Sequence, residues 1–474
     1  MTTAVAAPHF TSTDYLFRDS SGRGYRSLRD VDRLRWHVDS DAVFSLLKLG
    51  AIVPPLSPFL GINRIAPVLR ASAALASGVE SREVWSANLD AQKAVLRRLL
   101  DDILSRRIGG CMEPVIMFSG GVDSGLLASR VKALGYDRAL LVNYAFGDDD
   151  AEAALAERMA TQIGLRFVRI EAGQSRASVL EAPGRVFGMP FGDESVAPTA
   201  EFAHAMCSAL GTTRSVIIDG TGADGGFGLH QRLRSTRIKA TLLPTPVQRL
   251  AAAAYDAGLL WCRKGILERY TNRLRGSGGC SAVTGFIAQN PLDGILYEAG
   301  ARARVDALLG RWICDAVGGD FRRTATAADL ALVCANIFAQ KAKPIFEQHG
   351  HEVVFPFLDP SMVDLALGAG VGWRMPTPKA PLKALLSESV PAEMVFRPKS
   401  GFVDPRPEVH CEPAFVDHLA AVTENSSPIG HLLRRKRIGN LVALLRAKRA
   451  LPPSTERFVW TVAFADRWYR TFAA

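Results

Sequence analysis

Residues 115–135 read VIMFSGGVDSGLLASRVKALG, and their order decides the fold. VIMFS (115–119) is a short apolar run of strand type. Gly120 and Gly121 break it, and GLLASRVKALG (125–135) resumes with apolar residues at helical spacing. A strand, a glycine turn and a helix in succession leave free backbone N–H groups at the helix start, and the helix dipole favours an anion there. Two glycines let the main chain curl against phosphate oxygens. The hydroxyls of Ser119 and Ser124 add hydrogen bonds, and the carboxylate of Asp123 suits a Mg²⁺ bridge to phosphates. The G-x-x-x-x-G-K-[ST] lysine is missing, so this is not the Walker loop. From average residue usage, five such fixed residues arise by chance on the order of once in a thousand chains of this size.

Reading outward, the same alternation continues. RALLVNYAF (138–146), RFVRIEA (166–172) and SVIIDG (215–220) read as strands, separated by helical AEAALAERMATQIG (151–164) and EFAHAMCSALG (201–211). Apolar strands alternating with helices predict a parallel sheet covered on both faces. Upstream, SANLDAQKAVLRRLLDDILSRRIG (86–109) predicts a helix stopped by glycine. Residues 1–85 are expected to form a short N-terminal unit, with a helix ending at Gly50 and an extended turn imposed by Pro54, Pro55 and Pro58. Residues 86–474 are expected to form the main domain, mostly helical over about 231–345.

Composition narrows the function classes. Across 474 residues, 57 Lys plus Arg against 47 Asp plus Glu leave a net charge of +10. That balance permits an acidic partner, but the basic residues are dispersed, so a nucleic-acid surface is not expected. The dense basic run HLLRRKR (431–437) reads more readily as a solvated helix face. No apolar run reaches a membrane span, and the N-terminus lacks the pattern of a secretory signal. The 7 cysteines form no C-x-x-C pair. A reducing cytoplasm without zinc or disulfide scaffold is the expectation.

Five motifs in order then resemble the asparagine synthetase-like group of PP-loop ATP pyrophosphatases. They are Ser119–Ser124; Pro190-Phe191-Gly192-Asp193-Glu194-Ser195 with Pro198-Thr199; Asp219–Gly228; Gly350–Asp359; and Arg397-Pro398-Lys399-Ser400-Gly401-Phe402. The resemblance covers about 110–405 and reaches more weakly back to VPPLSPFLGINRIAP. It implies an α/β fold with a parallel, doubly wound, five-stranded sheet of the HUP-like kind. It implies ATP bound with Mg²⁺ between Asp123 and Asp224. The adenine would lie near Met117, Phe146 and Gly220, and the phosphates on Ser119, Gly120, Gly121 and Ser124. Lys399 would stabilise charge on phosphate and on the tetrahedral oxyanion. Glu352 fits either a functional acid, as general base or for orienting the amine, or a buried structural acid paired with Arg or Lys. The reaction implied is adenylation of a carboxylate, release of pyrophosphate, and attack by an amine.

Three departures shape the expected substrate. Thr2 stands where glutamine-hydrolysing members carry a catalytic Cys, and the first 85 residues are read as a truncated remnant of a glutaminase-like domain. Thr221 replaces the acid of the usual S-G-E-G-x-D second loop, at a position that faces substrate in the family. Val354 replaces the usual Arg and Gly225 the usual Glu. The expected function is an ATP-dependent amide-bond-forming ligase of specialised biosynthesis, akin to β-lactam synthetases and lasso-peptide macrolactam cyclases. Its partners would be a small acid or a precursor peptide and an amine. Ammonia-fed amidation, with ammonia free or from a partner protein, and a non-catalytic nucleotide-binding scaffold are the alternatives.

Overall fold

A computed structural model describes residues 15–32, 36–65, 89–111, 113–147, 149–173, 180–211, 213–228, 304–305, 307–312, 321–368, 378–397, 412–451 and 453–472. Most of the expected helical stretch 231–345, and Lys399, lie outside these residues.

Strands β1 (Phe17–Asp19), β2 (Gly24–Tyr25) and β3 (Ile62–Arg64) form a small antiparallel sheet in the order β2-β1-β3. The main sheet has five parallel strands: β4 (Val115–Met117), β5 (Leu140–Ala145), β6 (Arg166–Glu171), β7 (Val216–Ile218) and β8 (Glu352–Val354). Their order is β6-β5-β4-β7-β8. From β4 the chain builds outward through β5 and β6, then returns to add β7 and β8 on the other side. The topological switch therefore falls between β4 and β7, and open parallel sheets bind ligands at such a point, beyond the carboxyl ends of the strands.

The helices follow from local signals. Val122–Ala133 starts directly after Gly121. Ala151–Ile163 is capped by the Asp150 carboxylate, which accepts from Glu152 and Ala153 N–H, and stops at left-handed Gly164. Helices Leu89–Ile108, Val122–Ala133 and Ala380–Leu386 pack together on the sheet, burying Leu96, Leu100, Leu126, Leu127, Leu382 and Leu386 in its core.

A second core lies apart from the sheet. Helix Ser40–Leu49, capped by Asp39 and ended at left-handed Gly50, packs against the C-terminal helix Pro453–Phe472. The residues read as a separate N-terminal unit thus share one apolar cluster with the end of the chain: Phe17, Phe44 and Phe59 pack with Trp460, Trp468 and Phe472. The indole of Trp468 donates to Phe187 O at 2.8 Å, and Tyr469 hydroxyl donates to Pro58 O at 3.1 Å. Trp468 is wholly buried. Trp468→Ala is expected to cost about 4 kcal/mol through lost burial and a residual cavity, read from chemical unfolding.

Candidate active site

Two loops leave the sheet at the switch point, one after β4 and one after β7. Their approach is close enough to restrict side chains. A Cβ on Gly220 would lie 3.1 Å from Asp123 Cβ, so the second loop rests directly on the first. Gly120 has φ +67°, and a Cβ there would sit 2.6 Å from Ala156 Cα. The left-handed turn and the neighbouring helix together demand glycine.

The phosphate-type loop is held from within. Ser119 N–H donates to Ser124 Oγ at 3.2 Å, the two serine hydroxyls are 3.2 Å apart, and Gly121 N–H reaches Ser119 Oγ at 3.3 Å. Gly121 caps the helix without a side-chain acceptor. The first-turn N–H groups of Val122–Ala133 have no capping side chain competing for them, which is what an anion-binding helix start needs.

Across the crevice, Asp224 lies in the short helix Ala223–Phe227, after left-handed Gly222. Asp123 and Asp224 converge on one cation, the ammonium of Lys379. Its Nζ lies 2.7 and 2.6 Å from the two Asp123 oxygens and 2.7 Å from Asp224 Oδ1. Burial opposes the charge on Lys379, but the two carboxylates outweigh it and hold its pKa above the ordinary 10.5. Lys379 stands at the N-cap of helix Ala380–Leu386 with φ 59°, and its N–H donates to Phe227 O at 3.1 Å. A left-handed lysine costs on the order of 1–2 kcal/mol and is typical of a functional site.

A second buried ammonium lies on the other flank of the β7 loop. Lys341 Nζ is 3.0 Å from Asp193 Oδ2 and 2.5 Å from Ser195 Oγ. Asp193 in turn accepts from Ser195 N–H and hydroxyl at 2.9 and 2.7 Å. Burial opposes ionisation of Asp193, but Lys341 and Ser195 prevail and its pKa is lowered. Gly192, just before, donates to Gly50 O at 2.8 Å, and a Cβ on it would meet Thr461 Oγ1 at 2.4 Å. The segment Pro190–Ser195 is therefore seated on the second core.

The structure brings Ser119, Gly120, Gly121, Asp123, Ser124, Gly220, Thr221 and Asp224 to one crevice. Met117 ends β4 and Phe146 follows β5 at the same edge, the Phe146 ring edge-on to Tyr144 at 5.2 Å. Glu352 lies elsewhere. It opens β8 opposite Val216, at the amino end of the sheet, and Arg107 Nη2 is 3.3 Å from its Oε1. Of the two readings open for Glu352, an arginine-paired acid describes this geometry.

Sequence reasoning passed over Lys379 and Lys341. For Lys379 a signal exists: a lysine precedes Ala380-Pro381, a helix start where a small oxygen-bearing cap is the ordinary choice. The arginine of the Arg397–Phe402 motif also has a defined place. Both its terminal nitrogens lie 2.9 Å from the Glu152 oxygens, and it reaches Gly120 O at 3.4 Å.

A five-stranded parallel sheet, a glycine loop at its switch point and a pair of converging aspartates without a Walker lysine define a PP-loop type of nucleotide-binding protein. A family model, asparagine synthase, matches residues 95–470, and the chain belongs to that family. Its general chemistry is that of an ATP-dependent ligase joining a carboxylate to ammonia or another amine. No curated protein matches the chain. Among the described residues, no helix is long and apolar enough to cross a membrane.

Lys379→Met should remove the ammonium that Asp123 and Asp224 share. We expect ATP-dependent turnover to fall by about 10²-fold or more, the scale for removing one preorganised electrostatic contact. Because the lysine's pKa is raised by folding, its stabilisation is full below pH 10.5 and fades as pH rises through the higher folded value. Urea unfolding of both proteins across that range checks the second point.

Proposed function

We propose that the chain is an AMP-forming amide ligase: it adenylates a substrate carboxylate, releases pyrophosphate, and transfers the acyl group to an amine. The observation that carries this reading is the meeting of Asp123 and Asp224 at one cation beside a glycine loop. Two carboxylates that already share a positive charge are a fitting donor set for Mg²⁺, which takes one or two protein carboxylates and completes its shell with phosphate oxygens and water. Such an ion would neutralise charge on the leaving pyrophosphate.

The protein's own groups divide the remaining work. Backbone N–H groups of the loop and of the first turn of Val122–Ala133 bind phosphate oxygens. The Ser119 and Ser124 hydroxyls fix the loop. Lys379 orients both aspartates and supplies a fixed charge near the reacting phosphate. Lys399, two residues beyond the Glu152-anchored Arg397, is assigned the charge that develops on phosphate and on the tetrahedral oxyanion. Met117 and Phe146 border the adenine. Thr221 in place of the usual acid leaves the substrate side of the second loop without a carboxylate at that position. That favours an acid bulkier than aspartate, as in macrolactam or β-lactam formation within specialised biosynthesis.

The test is isotope exchange between pyrophosphate and ATP across a panel of free amino acids, peptide side-chain acids and polyketide-type acids, with Mg²⁺ present. Exchange should appear with one class of acid only, and Asp123→Asn and Asp224→Asn should each reduce it by about 10²-fold. A folded protein that shows no exchange with any acid would overturn the proposal.

A further inference from the structure

The usual second loop carries a hydroxyl at its first position and an acid at its third; here the order is reversed, Asp219-Gly220-Thr221. The structure gives the reversal a geometry. Asp219 follows β7 at the carboxyl edge, its N–H donating to Val354 O at 3.0 Å, so its backbone is pinned between β7 and β8. Its Oδ1 accepts from Thr221 N–H at 2.6 Å, and the nearby Thr221 side chain is among the influences that lower its pKa. Asp219 and Thr221 therefore form one hydrogen-bonded unit within the loop.

The charges around this unit differ from those around its neighbours. Asp123 and Asp224 share Lys379, and Asp193 has Lys341. Among the described residues, no cation lies within ion-pairing distance of Asp219. The charged groups that face it are Lys341 on one flank, at longer range, and Asp123 on the other. Burial above all, with a small addition from Asp123, raises its pKa, against the opposing hydrogen bonds from Thr221 and the charge of Lys341. A carboxylate at the ligand edge of a sheet with no counter-ion among the described residues is costly as structure and useful as a proton acceptor.

We propose that Asp219 is the base for the second half-reaction, receiving through the Thr221 hydroxyl the proton of the attacking amine. This rests on the ligase reading above. The unprotonated amine nitrogen forms a bond to the carbonyl carbon of the acyl-adenylate. The carbon–oxygen bond to phosphate breaks, and AMP leaves with that electron pair. The surplus proton on nitrogen passes to the Thr221 oxygen as the hydroxyl proton moves to Asp219. The displaced acid thus restores to this chain the carboxylate that its third loop position has lost.

The experiment separates the two halves of the reaction in the full chain. With the acid identified by exchange and ammonium or methylamine as the probe amine, Asp219→Asn should keep pyrophosphate–ATP exchange within about threefold of the parent. Amide formation should fall at least 100-fold. Because a carboxylate whose pKa is raised by folding weighs against the fold above its ordinary pKa, the melting temperature should hold or rise. The double variant Asp219→Ser with Thr221→Glu, which restores the usual order, should recover amide formation at least tenfold over Asp219→Asn. Equal loss in both halves, or undiminished amide formation, would overturn the assignment. If Asp219→Asn fails to fold, the double variant decides: folded and active in exchange but unable to form amide, it refutes the role. Absence of exchange in the parent protein would instead refute the ligase reading itself.

Discussion

Two carboxylates from loops far apart in the chain approach a single ammonium, and the geometry of the crevice depends on that charge balance. Asp123 and Asp224 would otherwise repel. At an effective dielectric near 20, two unit charges about 4 Å apart interact by about 4 kcal/mol. Lys379 turns that repulsion into attraction from both sides. It does so from a left-handed backbone position tied to Phe227 O, so the carbonyl end of the helix carrying Asp224 also fixes the lysine that holds it. The same three groups thus set the relative position of the β4 loop, the β7 loop and the helix Ala380–Leu386.

Around this centre the main constraint is steric. Gly220 lies on Asp123, Gly222 lies against Leu358, and Gly120 lies against Ala156 in the middle of Ala151–Ile163. These approaches let two loops and a helix end meet within the space a ligand phosphate would need. The price appears as local rigidity, since close-packed backbone leaves little room for adjustment. Arg397 extends the arrangement: by gripping Glu152 and Gly120 O, it brings the chain just before Lys399 to the side of the same loop.

Much of this was legible from residue order. The Ser119–Ser124 loop announces itself because strand, glycines and helix are contiguous, so local chemistry suffices. The sheet strands β4 to β7 are visible as apolar runs between helical segments, and the helix ending at Gly50 is visible by its glycine stop. Strands β1 to β3, two or three residues each, are too short to show a period. Lys379 escaped because its role depends on a backbone conformation and on a partner 256 residues away, neither of which a local pattern encodes. Glu352 shows the converse. Its motif is recognisable, but whether a strand residue faces the ligand edge depends on strand direction and length, and Glu352 begins its strand rather than ending it. The sharing of one core by the described residues of 15–65 and the last helix is equally non-local, since apolar residues do not declare their partners.

The seat of Pro190–Ser195 has a wider meaning for how this protein can be divided. Gly192 is wedged between the end of the first long helix and Thr461 of the last, and the next residue belongs to the Lys341 network beside the β7 loop. The end of helix Ser40–Leu49, which lies before the family-matched span, therefore props up a wall of the crevice from behind. Trimming the chain to residues 95–470 would remove the buttress while leaving every candidate catalytic group in place. Recombining front and back halves with those of related ligases would succeed only where both flanking helices travel together, because the wall inherits its placement from their contact.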